Sequence, residues 1–387
     1  MVKNPLTPSW LVEPSDINKL DERIWPRTAK RSAKGEMSIG SVQVSDLVRQ
    51  FGSPLYVVDQ EDFEARLILQ NVHFQTPQQR LAQLPKIYYA SKALLTTDVV
   101  RWVESAGLSI DVSTSGELAV ALAGGMPGER IGFHGNNKSL VEIGRAISAG
   151  VGAIVIDSES EIERIASVAS AQGKTQSVRL RVNSGVHAST HEYLATARED
   201  QKFGIAISDV PDLVAKIRSH SSLRFLGLHS HIGSQIFVVD GFIAAAERLL
   251  DLQATLLQSG DVPELNLGGG FGISYTKADH PMSLAEMAAR ISSAVEAKCK
   301  ALGIAIPKLA FEPGRAIAGP AGVTLYSVGT IKDVQVSDQG AGATRKYVSV
   351  DGGMSDNARP ALYEAEYSAV IASRVTSATP ALLEGCG

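Results

Sequence analysis

Cysteine is almost missing. Cys299 and Cys386 are the only two in 387 residues, and they form neither a CxxC pair nor a metal-type spacing. That excludes a disulfide scaffold and a zinc ribbon, and it fits a reducing, cytoplasmic compartment. Long apolar runs are missing as well. None approaches the roughly 20 residues that a membrane helix needs. The first 36 residues are polar and interrupted by prolines, so neither a membrane span nor a secretory leader is expected. An excess of one charge is absent, with 37 basic against 41 acidic side chains and a net charge of −4. A nucleic-acid partner is therefore not expected, because such proteins carry a basic face.

What is present is apolar material for a large core, with 44% hydrophobic and 20% charged residues. At about 100–200 residues per domain, the length suggests two domains. From Pro54 onward, short apolar β-branched runs alternate with stretches of helical spacing. The runs are 87–91, 108–113, 131–135, 153–157, 178–183, 225–232, 264–270 and 308–314. Helical spacing is clearest over 97–106, 139–149, 242–258 and 284–302. Near-continuous apolar strands separated by helices predict a parallel sheet covered by helices. A doubly wound sheet shares that periodicity, but eight such units in about 250 residues favour a (β/α)₈ barrel. The expected α/β organisation is a barrel over 54–319 and a β-rich second domain built from 1–53 and 320–387. Strands are expected there at 323–328, 346–350 and 367–375, with a turn at Gly340-Ala341-Gly342.

The active site of such a barrel lies at the C-terminal ends of its strands, and those ends are polar here almost without exception. They supply Lys92, Asp111 and Ser113, His134 and Asn136, Asp157, then Arg181 and Asn183. His229, His231, Ser234 and Gln235 follow, and after them the run Gly268-Gly269-Gly270-Phe271-Gly272 and then Glu312, Gly314 and Arg315. A lysine closing an apolar strand could be buried at the barrel mouth, its pKa lowered and its amine freed for Schiff-base chemistry. An isolated lysine more often snorkels to solvent. Glycines after strand seven admit an anion close to backbone N–H groups, and with Gly233-Ser234 and Gly314-Arg315 they suggest a phosphate cradle. No GK[ST] follows them, so this is not a Walker loop. Glu312 could act as a base, bind metal or hold a protonated ring nitrogen, or it could simply pair with Arg315. His229 and His231 have the spacing of a metal pair, but no supporting ligand cluster is evident, and no metal is expected.

Several motifs occur in a fixed order: Tyr89-Ala90-Ser91-Lys92-Ala93, His229-Ser230-His231-Ile232-Gly233-Ser234-Gln235, the glycine run, Glu312-Pro313-Gly314-Arg315 and Asp351-Gly352-Gly353-Met354. Together with Arg359-Pro360-Ala361-Leu362-Tyr363 they resemble the diaminopimelate decarboxylase family, within the alanine-racemase-like (fold type III) pyridoxal 5'-phosphate enzymes. The resemblance implies that Lys92 carries the cofactor, His231 lies on its ring face and Glu312 keeps its ring nitrogen protonated. It also implies that Ser234, Gly269, Gly270, Pro313, Gly314 and Arg315 hold the phosphate side, and that Asp111 orients groups near Lys92. Arg315, Arg359 and Tyr363 would bind substrate carboxylate. The implied reaction converts meso-2,6-diaminopimelate to L-lysine and CO₂ in a cytoplasmic homodimer with shared active sites.

Family members continue past the equivalent of Arg374 with a Cys-Glu-Ser-x-Asp motif supplied to the neighbouring subunit's site. Cys386 is followed by Gly387, so that role is not transferred to it. A C-terminally truncated chain with weak cofactor binding is expected on this reading. The alternatives are a related ornithine, arginine or carboxynorspermidine decarboxylase or a racemase, an inactive pyridoxal-phosphate-binding paralogue, and a metal-dependent barrel hydrolase using His229 and His231.

Overall fold

The computed structural model describes residues 16–78, 84–186, 202–335, 344–377 and 383–386. Eight parallel strands close into a barrel: β1 Lys86–Ala90, β2 Ser109–Val112, β3 Ile131–Phe133, β4 Ala153–Ile156, β5 Gln176–Asn183, β6 Leu223–His229, β7 Glu264–Asn266 and β8 Lys308–Phe311. Each pairs with its sequence neighbour, and β8 pairs with β1 to complete the ring. Closure leaves no barrel edge open. Helices follow the strands in turn: α1 Thr97–Ser105, α2 Ser115–Ala123, α3 Leu140–Ser148, α4 Glu159–Ala171, α5 Val210–Ser219, α6 Asp240–Leu256, α7 Leu284–Leu302 and the single turn α8 Arg315–Ala318. The (β/α)₈ expectation is met.

Local chemistry sets the helix ends. Thr114 with Glu117 and Ser139 with Glu142 form reciprocal capping boxes at α2 and α3. Ser283 caps α7, which ends at Gly303 in the left-handed conformation. Each cap satisfies backbone donors that a helix start leaves open. Strand alternation at β8 separates two environments. Phe311 stacks on Phe74 of the helix Gln60–Gln78 at 4.2 Å, so it faces outward. The next residue, Glu312, turns inward.

By its contacts the chain divides into two compact units: Met1–Phe63 with Ile273–His280 and Pro320–Gly387, and Glu64–Gly272 with Pro281–Gly319. In the first, Lys30–Arg31, Met37–Ile39 and Val42–Gln43 form a small antiparallel sheet. Leu55–Val58 pairs antiparallel with Gly322–Leu325, tying the two flanks together. Val328–Gln335 pairs antiparallel with Thr344–Val350, which pairs parallel with Leu383–Cys386. Ile273–His280 joins this unit through the Tyr275 carbonyl, which accepts from the Ser368 N–H and hydroxyl. The core here is small: Met37, Ile39, Val44 and Leu325, with Trp25, Leu47, Val57, Val323 and Val370 packed on it.

Two expected flank strands differ. The single strand at 323–328 is two, separated at Tyr326-Ser327. There the Ser327 N–H donates to Asp351 at 2.8 Å, and the chain exchanges its partner Leu55–Val58 for Thr344–Val350. Residues 367–375 form no strand. The Arg31 guanidinium takes the Ile371 and Arg374 carbonyls, and the Met37 N–H takes that of Ala372. Isolated bonds to a side chain and one amide thus replace a ladder. The turn expected at Gly340-Ala341-Gly342 lies outside the described residues. No helix among the described residues is long and apolar enough to cross a membrane.

Candidate functional site: a buried carboxylate at the barrel mouth

Four side chains from β3, β6, β7 and β8 meet at the C-terminal end of the barrel. Glu312, just past β8, is 5% exposed. Its Oε1 accepts from Asn266 Nδ2 at 2.7 Å and lies 3.3 Å from His134 Nε2. Its Oε2 lies 3.2 Å from His229 Nε2. A carboxylate only accepts, so both imidazoles present an Nε2–H to it. Burial alone would raise the Glu312 pKa, but attraction to and hydrogen bonds from His229 and His134 hold it well below the ordinary value. Burial pushes His229 down to about 4, so its ring is neutral and its Nδ1 carries a lone pair. That Nδ1 is buried without a hydrogen-bond partner among the described residues. The rings of His134 and His229 meet edge to face at 5.1 Å.

The alternative reading of Glu312, a pair with Arg315, is not the arrangement of its hydrogen bonds, which run to Asn266, His134 and His229. Arg315 opens α8 and donates to Ser234 Oγ at 3.1 Å. The ligand atoms of His134, His229 and Glu312 lie within 4.8 Å of one another and could group around a cation, but here the imidazole Nε2 atoms are turned onto the carboxylate itself. His229 is therefore joined with His134, not with His231. His231 Nδ1 instead accepts weakly from the Gly269 N–H at 3.4 Å, and burial, with the Lys92 charge adding, pushes its imidazole down to about 3.

Lys92 corrects one expectation. Its side chain is exposed, not buried, because β1 ends at Ala90 and the chain enters a 3₁₀ turn, Ser91–Ala93, that lifts the lysine clear of the ladder. That turn is held on both sides. The Tyr89 hydroxyl donates to the Leu94 carbonyl at 2.8 Å, and Asp111 accepts the Ser91 N–H at 3.0 Å. Asp111 is buried, and burial together with the nearby Glu312 charge raises its pKa to about 7.

The glycine run is required by close backbone packing. A Cβ on Gly269 would sit 2.0 Å from the Glu312 carbonyl oxygen. Gly270 has φ +105°, and its Cβ would sit 2.2 Å from the Gly233 carbonyl oxygen. The ends of β6, β7 and β8 are thereby drawn together. The Ala90 N–H donates to the Pro313 carbonyl at 3.0 Å, which brings Gly314 against β1. Arg359 and Tyr363 lie in the other unit, on the helix Arg359–Tyr363, with the guanidinium 5.5 Å from the Tyr363 ring and Tyr363 exposed.

Loops beside the mouth are braced by a buried ion pair. Lys138 Nζ reaches both Glu161 oxygens at 3.0 Å and the Val155 carbonyl at 2.7 Å, fixing the loop that carries His134. Asp157 lies 3.7 Å from Arg181, whose guanidinium covers the Phe203 ring at 4.5 Å. Asn266 was not anticipated as a site residue. Its signal was a polar side chain between two leucines, Leu265 and Leu267, at a strand end, where a buried amide demands a partner.

Comparison with known proteins places this geometry in context. Residues 71–319 match the pyridoxal binding domain of pyridoxal-dependent decarboxylases. A diaminopimelate decarboxylase of Mycobacterium tuberculosis is 45% identical over 374 residues, covering 95% of this chain and 81% of that protein. One of Bacillus subtilis is 39% identical over 356 residues, covering 91% and 78%. The solved diaminopimelate decarboxylase of M. jannaschii in complex with L-lysine superposes with a TM-score of 0.81 at 29% identity, covering 89% of this chain and 77% of that one.

Proposed function

The chain belongs to the diaminopimelate decarboxylases of the pyridoxal-dependent decarboxylase family, and from that premise we propose that it releases CO₂ from meso-2,6-diaminopimelate to leave L-lysine. The observation that carries the reading is Glu312. It is a buried carboxylate, held ionised, to which an amide and two imidazoles turn their N–H groups. Such a group suits a protonated ring nitrogen, and the glycine-lined strand ends beside it suit a phosphate. The residues thus fit pyridoxal phosphate, which when bound supplies an electron sink for the pair released as a carboxylate departs.

The chain's own residues then divide the work. The Lys92 amine would hold the cofactor's carbonyl carbon, presented by a turn that Asp111 and Tyr89 fix. Glu312 would keep the proton on the ring nitrogen, and His231 would lie against the ring face. Ser234, Gly269, Gly270, Gly314 and Arg315 would hold the phosphate, with Pro313 setting the backbone of that loop. Arg315, Arg359 and Tyr363 would read substrate carboxylate; a guanidinium does so through paired N–H donors. Polar recognition of the distal carboxylate discriminates far better than apolar fit. Exposed Tyr56, Met354, Leu362 and Tyr363 are apolar surface that a second copy could cover, which supports a homodimer with shared active sites. The buried free thiol of Cys299 suits a cytoplasmic setting.

The test is lysine and CO₂ formation from meso-diaminopimelate with added pyridoxal phosphate. The parent chain is expected to form both in equal amounts, and Lys92→Ala to form neither. Lysine formation undiminished in Lys92→Ala would overturn the assignment.

A further inference from the structure

Asn266 sits on β7 and is fully buried. Its two amide ends are both committed. Oδ1 accepts the Gly268 N–H at 2.9 Å, so Nδ2 must face Glu312, where it donates at 2.7 Å. The amide cannot rotate without placing oxygen against carboxylate oxygen and N–H against N–H. One side chain therefore ties the first residue of the glycine run to Glu312. We propose that Asn266 is a positioning residue for the decarboxylase reaction, a neutral donor that holds Glu312 in its charged, ring-facing state. The proposal rests on the cofactor reading above and deepens it.

The choice of amide over acid is the crux. Aspartate has the same shape and would still accept from Gly268, but it would bring a second carboxyl within hydrogen-bond reach of Glu312. Two carboxyls that close share a proton, and the pair resists losing it. While the proton is shared, the aspartic acid O–H stands in for the Asn266 N–H. Once it is lost, like charges repel and Glu312 loses its donor. The other titratable or charged groups around this carboxyl are His134, His229, His231, Asp111 and Arg181, with Lys92 beside Asp111 and His231. They are common to parent and variant, so a difference between the two isolates position 266.

The experiment measures pyridoxal-phosphate binding by quenching of tryptophan fluorescence in the full chain and in Asn266→Asp and Asn266→Leu, at pH 6 and pH 8.5. Asn266→Asp is expected to bind within about threefold of the parent at pH 6 and at least about tenfold more weakly at pH 8.5, the behaviour of a carboxyl pair. Asn266→Leu, with no donor at any pH, is expected to bind more weakly than the parent by about tenfold at both. Thermal melting of the cofactor-free proteins checks folding. Both variants matching the parent at both pH values would overturn the proposal. Asn266→Asp weakened equally at both would overturn it too, since that marks lost packing only. A parent that binds no cofactor at either pH would sink the functional reading instead, so the two failures are distinct.

Discussion

Two acids lie within the same barrel, one at each end, and they are treated differently. Near the N-terminal ends of the strands, Glu264 meets Arg179, whose Nη2 approaches it to 2.6 Å and also reaches the Tyr88 hydroxyl at 2.9 Å. Arg179 is 1% exposed, and its partners come from β1 and β7, neither adjacent to β5, so the cluster fills the interior. Its charges cancel within the chain. At the opposite end Glu312 takes an amide and two imidazoles, leaving a buried negative charge that a ligand can use. The first arrangement is complete as it stands. The second is stable enough to fold but keeps its charge available, as a site for a cationic ring requires.

Substitution can break that contrast. Arg179→Met should cause the largest loss of stability, about 3–5 kcal/mol, because it strands Glu264 and the Tyr88 hydroxyl at the barrel base. Urea unfolding would check it, with turnover per folded molecule expected to stay near the parent's. Glu312→Gln should shift the balance toward turnover. It turns an amide N–H toward one of the donors from which the carboxylate accepted, so unfolding free energy should fall by about 1–3 kcal/mol, less than in Arg179→Met. Turnover should fall about 100-fold, close to 2.7 kcal/mol of transition-state stabilisation. A Glu312→Gln protein that unfolds readily but turns over normally would collapse the distinction between the two ends.

A smaller effect sharpens it through pH. His229 is depressed to about 4. Between that value and its ordinary 6.5 the unfolded chain binds more protons, so this group makes stability rise with pH. Asp111 is raised to about 7. Between its ordinary 3.8 and that value the folded chain binds more protons, so its contribution falls as pH rises. The two oppose each other from about pH 4 to 6.5. Asp111→Asn should therefore steepen the gain in stability from pH 4.5 to 6.5, and His229→Asn should flatten or reverse it. Denaturant midpoints at both pH values would check this, and parallel shifts in both variants would refute it.

The barrel and its polar mouth were legible because they rest on local pattern. Apolar β-branched runs ending in polar residues mark strands buried on both faces, and helical spacing of apolar residues between them marks the covering helices. The strand proposed at 367–375 failed for the opposite reason. Its β-branched residues fit a strand, yet a strand needs a ladder, and the carbonyls of Ile371 and Arg374 went to Arg31. Lys92 was located correctly along the chain, but its exposure depended on the turn after β1.

Sequence alone determined that strands and helices alternate, that Lys92, His231, the glycine run and Glu312 lie at the same ends of those strands, and that these motifs occur in a family order. These follow from spacing along the chain, which sets strand direction and side-chain face. Tertiary structure decided what each group touches. Glu312 meets Asn266 from 46 positions away and His229 from 83, and no periodicity specifies a partner at such separations. Barrel closure brings these residues together, and the low-dielectric interior then makes an amide, an acid or an arginine beside Glu312 differ sharply in consequence.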